Sequence, residues 1–328
     1  MSIRHCVSLM MKAESKISAV CEVIIEMNIQ IGYLGPMGTF SEEAARRVGT
    51  LLEKGARSVG SSVSPKPGEP VQYSVHYSPY KGIAALISAV DAGEIDYAVV
   101  PAENSYEGSV SPTWDILFHD SSAEIIREVL VSVRHHLLVQ RGTKLSSVGT
   151  VLSHPQALAQ CRRFLSEHLP NAKQFETAST AEAARVVSVN SLPLAAIGTE
   201  QCASIYGLDI VARDIQDLQN NVTRFLVLSK GDNERKSLLV EAGLPYKTSI
   251  VCAIERDRPG SLYELLGVFA AKQINLTRIE SRPSRQGYGD YVFFIDVEGT
   301  VTDAALKESL DRLSEKVISL KVLGSYQY

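Results

Sequence analysis

Short β-rich runs alternate with amphipathic stretches along most of the chain, the pattern of a parallel or mixed sheet flanked by helices. Residues 29–34 read as a strand and 40–52 as the helix after it, with a second helix at 82–92 and a buried strand at 97–100 that delivers the chain to Pro101. A similar set follows: strands at 129–139, 148–152 and 195–197, helices at 155–167 and 181–189. The chain then returns through Ile210 and Arg213 to the run 221–228. Two α/β lobes joined by a late return of the chain leave a cleft between them, a common setting for small ligands.

Beyond this unit the charged stretch 232–236 loses its apolar period and reads as a linker. A β-α-β-β-α-β pattern comes next, with strands at 248–254, 274–281, 288–297 and 317–323 and helices at 259–272 and 303–316. In its first helix Leu262, Leu265, Leu266, Phe269 and Ala270 share one face suited to packing on a sheet. No nucleophile or base stands out there, which favours a regulatory or structural role. Residues 55–70 are Pro/Ser-rich and read as an exposed loop. At the start, 17–27 is interrupted by Glu22 and Glu26, is too short to span a membrane and lacks a signal-peptide cleavage pattern. It reads as an amphipathic extension, with Met27 as an alternative start. The expected division is an extension over 1–28, a two-lobed unit over 29–231 (lobe 1 from 29–112 and 201–231, lobe 2 from 113–200), a linker over 232–246 and a ferredoxin-like domain over 247–328.

Composition narrows the classes. With 328 residues, 45% hydrophobic and 21% charged, the chain is a globular protein of two or three units rather than a disordered one. A net charge of -4 provides no global basic field for nucleic acid or an anionic membrane, so any anion must be held locally. Five widely spaced cysteines with no Cys-x-x-Cys pair argue for a reducing, cytoplasmic setting without disulfides or zinc. His135 and His136, adjacent in a strand-like run, point to opposite faces and cannot share a metal.

Three helix starts fit a capping box: Thr39 to Glu42, Ser153 to Gln156 and Ser179 to Glu182. Free N–H groups and the helix dipole at such ends favour carboxylates and phosphates. The glycines from Gly32 to Gly38 have neither the spacing of a dinucleotide fingerprint nor the lysine of a phosphate loop. They suit close approach of the backbone to a small ligand. A dense polar set, Glu103, Asn104, Ser105, Glu107 and Ser109, follows the buried strand, and Asn220, Asn221, Thr223 and Arg224 lead into Phe225 and the apolar run after it. Strand ends of this kind are where open α/β sheets bind ligands. An arginine at a cleft edge suits a carboxylate through its planar fork.

Residues 33–41, 100–105, 107–110, 153–161 and 221–225 together resemble prephenate dehydratase, and Glu280-Ser281-Arg282-Pro283 resembles the effector motif of its ACT regulatory domain. The resemblance implies a bilobed catalytic region like the type II periplasmic binding proteins, followed by a βαββαβ ACT domain. It implies conversion of prephenate to phenylpyruvate, carbon dioxide and water, without cofactor or metal, in a homodimer or homotetramer inhibited by phenylalanine. Thr223 is then the catalytic residue, best suited to a hydrogen bond on the leaving oxygen, since an aliphatic hydroxyl is less acidic than Tyr. Glu103 is the rival acid, with Asn104 and Ser105 beside it. Gly38, Thr39, Phe40, Ser41, Ser109, Ser153, Gln156, Thr180, Asn221, Arg224 and Phe225 are the expected substrate contacts, Arg224 holding the pyruvyl carboxylate and Phe225 lying near the ring carboxylate. The expected effector contacts are Gly260, Ser261, Leu262, Tyr263, Glu280, Ser281, Arg282 and Pro283, and at 263 tyrosine replaces the family's usual valine. Arogenate or cyclohexadienyl dehydratase is the alternative enzyme, and an ACT-linked solute-binding sensor the non-enzymatic reading. Some 30 residues before the first strand are too few for a fused chorismate mutase domain.

Overall fold

The computed structural model describes residues 25–59, 71–231, 234–254, 259–283 and 291–328. Most of the expected extension at 1–28 and the Pro/Ser-rich stretch from 60 to 70 lie outside them; 55–59, read as loop, is the end of a helix. Lobe 1 is built from β1 (Ile25–Leu34), α1 (Phe40–Val59), β2 (Val71–Tyr80), α2 (Ile83–Ala92), β3 (Tyr97–Asn104), the short β4 (Gly108–Ser109), α3 (Ser111–His119) and β5 (Glu124–Ser132). Lobe 2 comprises β6 (His136–Val139), β7 (Thr150–Ser153), α4 (Pro155–Gln160), α5 (Arg162–His168), β8 (Lys173–Glu176), α6 (Thr180–Val189), β9 (Leu194–Gly198), α7 (Glu200–Tyr206) and β10 (Asp209–Ala212). The chain returns to lobe 1 as β11 (Val222–Ser229). The C-terminal domain is β12 (Tyr246–Ala253), α8 (Ser261–Ala270), β13 (Leu276–Pro283), β14 (Tyr291–Glu298), α9 (Ala304–Ser314) and β15 (Ser319–Gln327).

Two sheets organise these elements. Lobe 2 has a mixed sheet in the order β10-β6-β9-β7-β8. In the larger one, β13-β14-β12-β15 of the C-terminal domain runs on into β5-β11-β3-β1-β2 of lobe 1, with β4 paired to β3. The junction is one parallel pairing, Gln327 beside Arg127, reinforced by an Arg127 Nη1 to Gln327 Oε1 hydrogen bond of 2.8 Å. Central strands read as expected for burial on both faces: Tyr97–Val100 are all fully buried, and β14 is buried over six consecutive residues. β13, at the free edge, alternates half-buried and exposed positions.

Sheet membership moves the lobe boundaries. Because β5 pairs with β11 and β10 pairs with β6, the crossing into lobe 2 falls after Ser132 rather than near 113. The return falls at Val222 rather than 201. The expected linker is also partly structured: Glu234–Leu239 forms a 3-10 turn whose Leu238 and Leu239 are buried in the core of lobe 1. It packs so closely on α1 that a Cβ on Gly55 would lie 1.9 Å from the Leu238 carbonyl oxygen, which requires glycine there.

Candidate active site in the inter-lobe cleft

A cleft of about 590 Å³ separates the lobes. Several helix starts border it: α1 through Thr39, Phe40 and Ser41, α4 through His154, Gln156 and Ala157, α6 through Ser179 and Thr180, and α3 through Ser111 and Pro112. At α1 the Thr39 hydroxyl accepts from Glu42 N–H at 3.4 Å, and the Glu42 carboxylate reaches back to Gly38 N–H at 2.6 Å. At α6 the Ser179 hydroxyl accepts from Glu182 N–H at 3.0 Å. The expected box at Ser153 does not form. Pro155 opens α4, which makes His154 the cap, its Nδ1 accepting from Gln156 N–H at 3.3 Å. Ser153 is fully buried and donates to the Ile197 carbonyl at 2.8 Å, so it supports the wall from behind.

Among the described residues lining the cleft, Glu107 carries the one carboxylate and no Lys or Arg is present. An anion there meets helix dipoles, backbone N–H groups and the hydroxyls of Thr39, Ser41, Ser109, Ser111, Ser179, Thr180 and Thr223. No group of three or more His, Cys, Asp or Glu among the described residues is placed to hold a metal.

The register of β11 against β3 sets Thr223 opposite Asn104. Asn104 Oδ1 accepts from Tyr106 N–H at 3.0 Å and Glu107 N–H at 3.3 Å, and since backbone N–H groups can only donate, its amide nitrogen must face the other way. That nitrogen donates to Thr223 Oγ1 and to Asn221 Oδ1, each at 2.9 Å. Thr223 Oγ1 is thus engaged as an acceptor from Asn104 while its side chain lines the cleft.

Other expected contacts sit elsewhere. Along β11 side chains alternate, so Thr223 and Phe225 line the cleft while Arg224 points to the opposite face. There Arg224 is buried against the C-terminal domain, with Nε 2.5 Å from Glu128 Oε2, Nη2 2.7 Å from Asp296 Oδ2 and 2.8 Å from the Tyr326 hydroxyl. Burial opposes its charge, but Tyr326, Asp296 and Glu128 outweigh that and hold it firmly protonated. Glu103 shares this face, 3.7 Å from Arg224 Nη1 and 3.5 Å from Arg278 Nε, away from Thr223. Ser105 and Asn221 stand just behind the cleft wall, the Ser105 hydroxyl donating to Asn221 Oδ1 at 3.3 Å. Gly38, at φ +87°, bridges the lobes: its carbonyl accepts from Thr199 Oγ1 at 2.8 Å and from Cys202 Sγ at 3.1 Å.

The expected effector residues fall into two settings. Gly260 opens α8 in the left-handed region at φ 94°, with Ser261 beside it, Leu262 exposed and Tyr263 80% exposed to solvent. On β13, Ser281 and Pro283 face outward, whereas Glu280 and Arg282 face lobe 1. Arg282 donates to the Ser111 carbonyl at 3.0 Å and pairs with Asp115 at 3.1 Å. Arg278 pairs with Glu280, stacks over Trp114 at 4.1 Å and donates to the Ser109 hydroxyl at 3.1 Å. Since Ser109 and Ser111 line the cleft, β13 touches the cleft wall directly.

Glu107, from the polar set after β3, lines the cleft, and so do Gln160 and His135, which the sequence does not single out as site residues. Gln160 lies inside the 153–161 motif, and the sequence pattern of His135 beside His136 speaks only to metal binding. The placement of Arg224 was available from strand parity once Thr223 was put in the cleft.

A family model described as prephenate dehydratase matches residues 31–233, and one described as ACT domain matches 248–315. Prephenate dehydratase of Bacillus subtilis is 35% identical over 305 residues, covering 91% of this chain and 99% of that protein. Arogenate dehydratase/prephenate dehydratase 2 of Arabidopsis thaliana is 36% identical over 307 residues, covering 91% of this chain and 72% of that one. A crystal structure of prephenate dehydratase from Arthrobacter aurescens in complex with L-Phe superposes with a TM-score of 0.72 at 34% identity, over 92% of this chain and 90% of that one. With a matching domain order, a shared fold and a cleft built from the motif residues, the chain belongs to the prephenate dehydratase family and carries a C-terminal ACT domain.

Proposed function

We propose that the cleft eliminates carbon dioxide and hydroxide from prephenate to form phenylpyruvate, with Thr223 as the donor to the departing oxygen. The bond from the ring to its carboxylate breaks, the electron pair enters the ring, and the opposite carbon–oxygen bond breaks with its pair leaving on hydroxide, which takes up one proton to become water. The observation that carries this reading is the Asn104 amide on Thr223 Oγ1, which turns the hydroxyl proton toward the substrate. The substrate's carboxylates fit the helix starts and hydroxyls of the cleft; Arg224 has no part in holding them. A dipolar cradle without a cation also suits the chemistry, because a strong ion pair on the departing carboxylate would slow its loss.

Arogenate, with an ammonium in place of the ketone, is the competing substrate, and Glu107 is the lining carboxylate that would pair with it. Turnover of both compounds by the purified protein tests the reading. Phenylpyruvate formed from prephenate is the expected outcome, and no turnover of either compound overturns it. Phenylalanine is the proposed effector, supported by the relative solved with L-Phe and by the contacts of β13 with the cleft wall. Assembly as a cytoplasmic homodimer or homotetramer completes the proposal. Among the described residues β13 ends the larger sheet, and its exposed Ile279 supports this assembly; light scattering checks the stoichiometry.

A further inference from the structure

The hydrogen-bond polarity that orients Thr223 continues past Asn221 to a residue with no assigned role. Asn221 Oδ1 accepts from Asn104, so the Asn221 amide nitrogen is a donor, and it reaches Gln160 Oε1 at 3.2 Å. His135 Nε2 lies 3.0 Å from the same oxygen. A carboxamide oxygen has no proton to give and two lone pairs with which to accept, so His135 must carry its proton on Nε2 and leave Nδ1 as a bare lone pair. His135 lines the cleft at the crossing from β5 to lobe 2, edge-on to Phe40 at 5.6 Å, and its Nδ1 is buried with no partner among the described residues. Burial lowers its pKa to about 4, with a smaller opposing effect from Gln160, so the ring is neutral at neutral pH.

A buried, unpaired acceptor is unfavourable unless a ligand fills it. Resting on the reading above, prephenate has two carboxylates and a ketone, all acceptors, and one donor, the ring hydroxyl. We propose that His135 is a specificity-determining residue whose Nδ1 accepts the O–H of the substrate's departing hydroxyl, while its Nε2–H anchors the amide chain that turns the Thr223 proton onto the cleft. The two groups then divide one oxygen between them: His135 takes its hydrogen, and Thr223 donates to its lone pair. Phenylpyruvate has lost that hydroxyl and should not depend on Nδ1, which makes His135 a device for distinguishing substrate from product.

The test compares His135→Leu, which loses both ring nitrogens, with His135→Gln, whose amide restores a donor and an acceptor. In His135→Leu, kcat/KM for prephenate should fall about 10²-fold, because the substrate hydroxyl loses its buried acceptor, with the inhibition constant of phenylpyruvate within threefold of the parent enzyme. His135→Gln should recover at least a tenth of the parent's kcat/KM. Equal weakening toward prephenate and phenylpyruvate would show a merely structural role and overturn the proposal, as would kcat/KM within threefold of the parent in His135→Leu. Nitrogen-15 NMR of the unmutated enzyme gives a check that requires no variant to fold: His135 must be neutral with its proton on Nε2, and a proton on Nδ1 refutes the assignment. An unmutated enzyme inactive on prephenate would instead overturn the underlying reading, and this proposal with it.

Discussion

Replacing Arg224 by leucine separates a structural from a substrate-binding role for this residue. Arg224 and Lys247 face Glu128 and Asp296 in a buried cluster of two cations and two carboxylates, with Lys247 Nζ 2.6 Å from Glu128 Oε2. Removal of the guanidinium leaves Glu128 its lysine, but among the described residues Asp296, 1% exposed, then keeps the Ser249 hydroxyl at 2.5 Å as its hydrogen-bond partner. Breaking a buried pair from one side destabilises by about 3–5 kcal/mol, because a charge stays buried without compensation. At roughly 2 °C per kcal/mol for a large domain, the melting temperature should drop by about 6–10 °C. Since the side chain points away from the cleft, KM and kcat for prephenate at a temperature where the variant is folded should stay within about threefold of the parent. Tyr326→Phe, which removes one hydrogen bond to the guanidinium, should lower stability by about 1.5–3 kcal/mol. Differential scanning calorimetry and steady-state kinetics read the two effects. A tenfold or larger rise in KM with an unchanged melting temperature would instead put Arg224 on the substrate.

The remaining contacts give further expectations. Asn104→Ala should lower kcat about 10²–10³-fold with little change in KM, because Thr223 loses the donor that directs its proton; stopped-time assays of phenylpyruvate check it, and kcat within threefold of the parent would refute it. Arg278→Ala cuts the link from β13 to Ser109 and should raise the phenylalanine concentration for half-inhibition at least fivefold, the low end of ordinary coupling energies, while phenylalanine binding measured by calorimetry stays the same. Unchanged inhibition in that variant would place the coupling elsewhere.

Much of this arrangement was legible from local pattern. The two lobes, the ferredoxin-like domain and the helix starts that frame the cleft followed from apolar periodicity and capping residues. What escaped was set by pairing between distant segments. That β5 belongs to lobe 1 depends on its pairing with β11, more than ninety residues downstream, and no local period reports it. The opposite fates of Thr223 and Arg224 follow from strand parity, but a motif read as a block hides parity. The roles of Glu128, Asp296 and Tyr326 come from the C-terminal sheet running on from lobe 1, a juxtaposition that either domain's sequence alone leaves open. His135 and Gln160 became meaningful once the direction of each hydrogen bond could be traced from the backbone N–H groups of Tyr106 and Glu107.

In the proposed reaction the Thr223 hydroxyl, held as an acceptor by Asn104, donates to the departing oxygen. Turnover of prephenate by Thr223→Ala and Thr223→Ser, measured beside substrate binding, tests it most directly. Alanine should lower kcat about 10²–10³-fold with a much smaller change in affinity, and serine, which keeps the hydroxyl beside Asn104, should retain a large part of the activity. Equal loss in both variants, or an alanine variant that turns over at the parent rate, would contradict it.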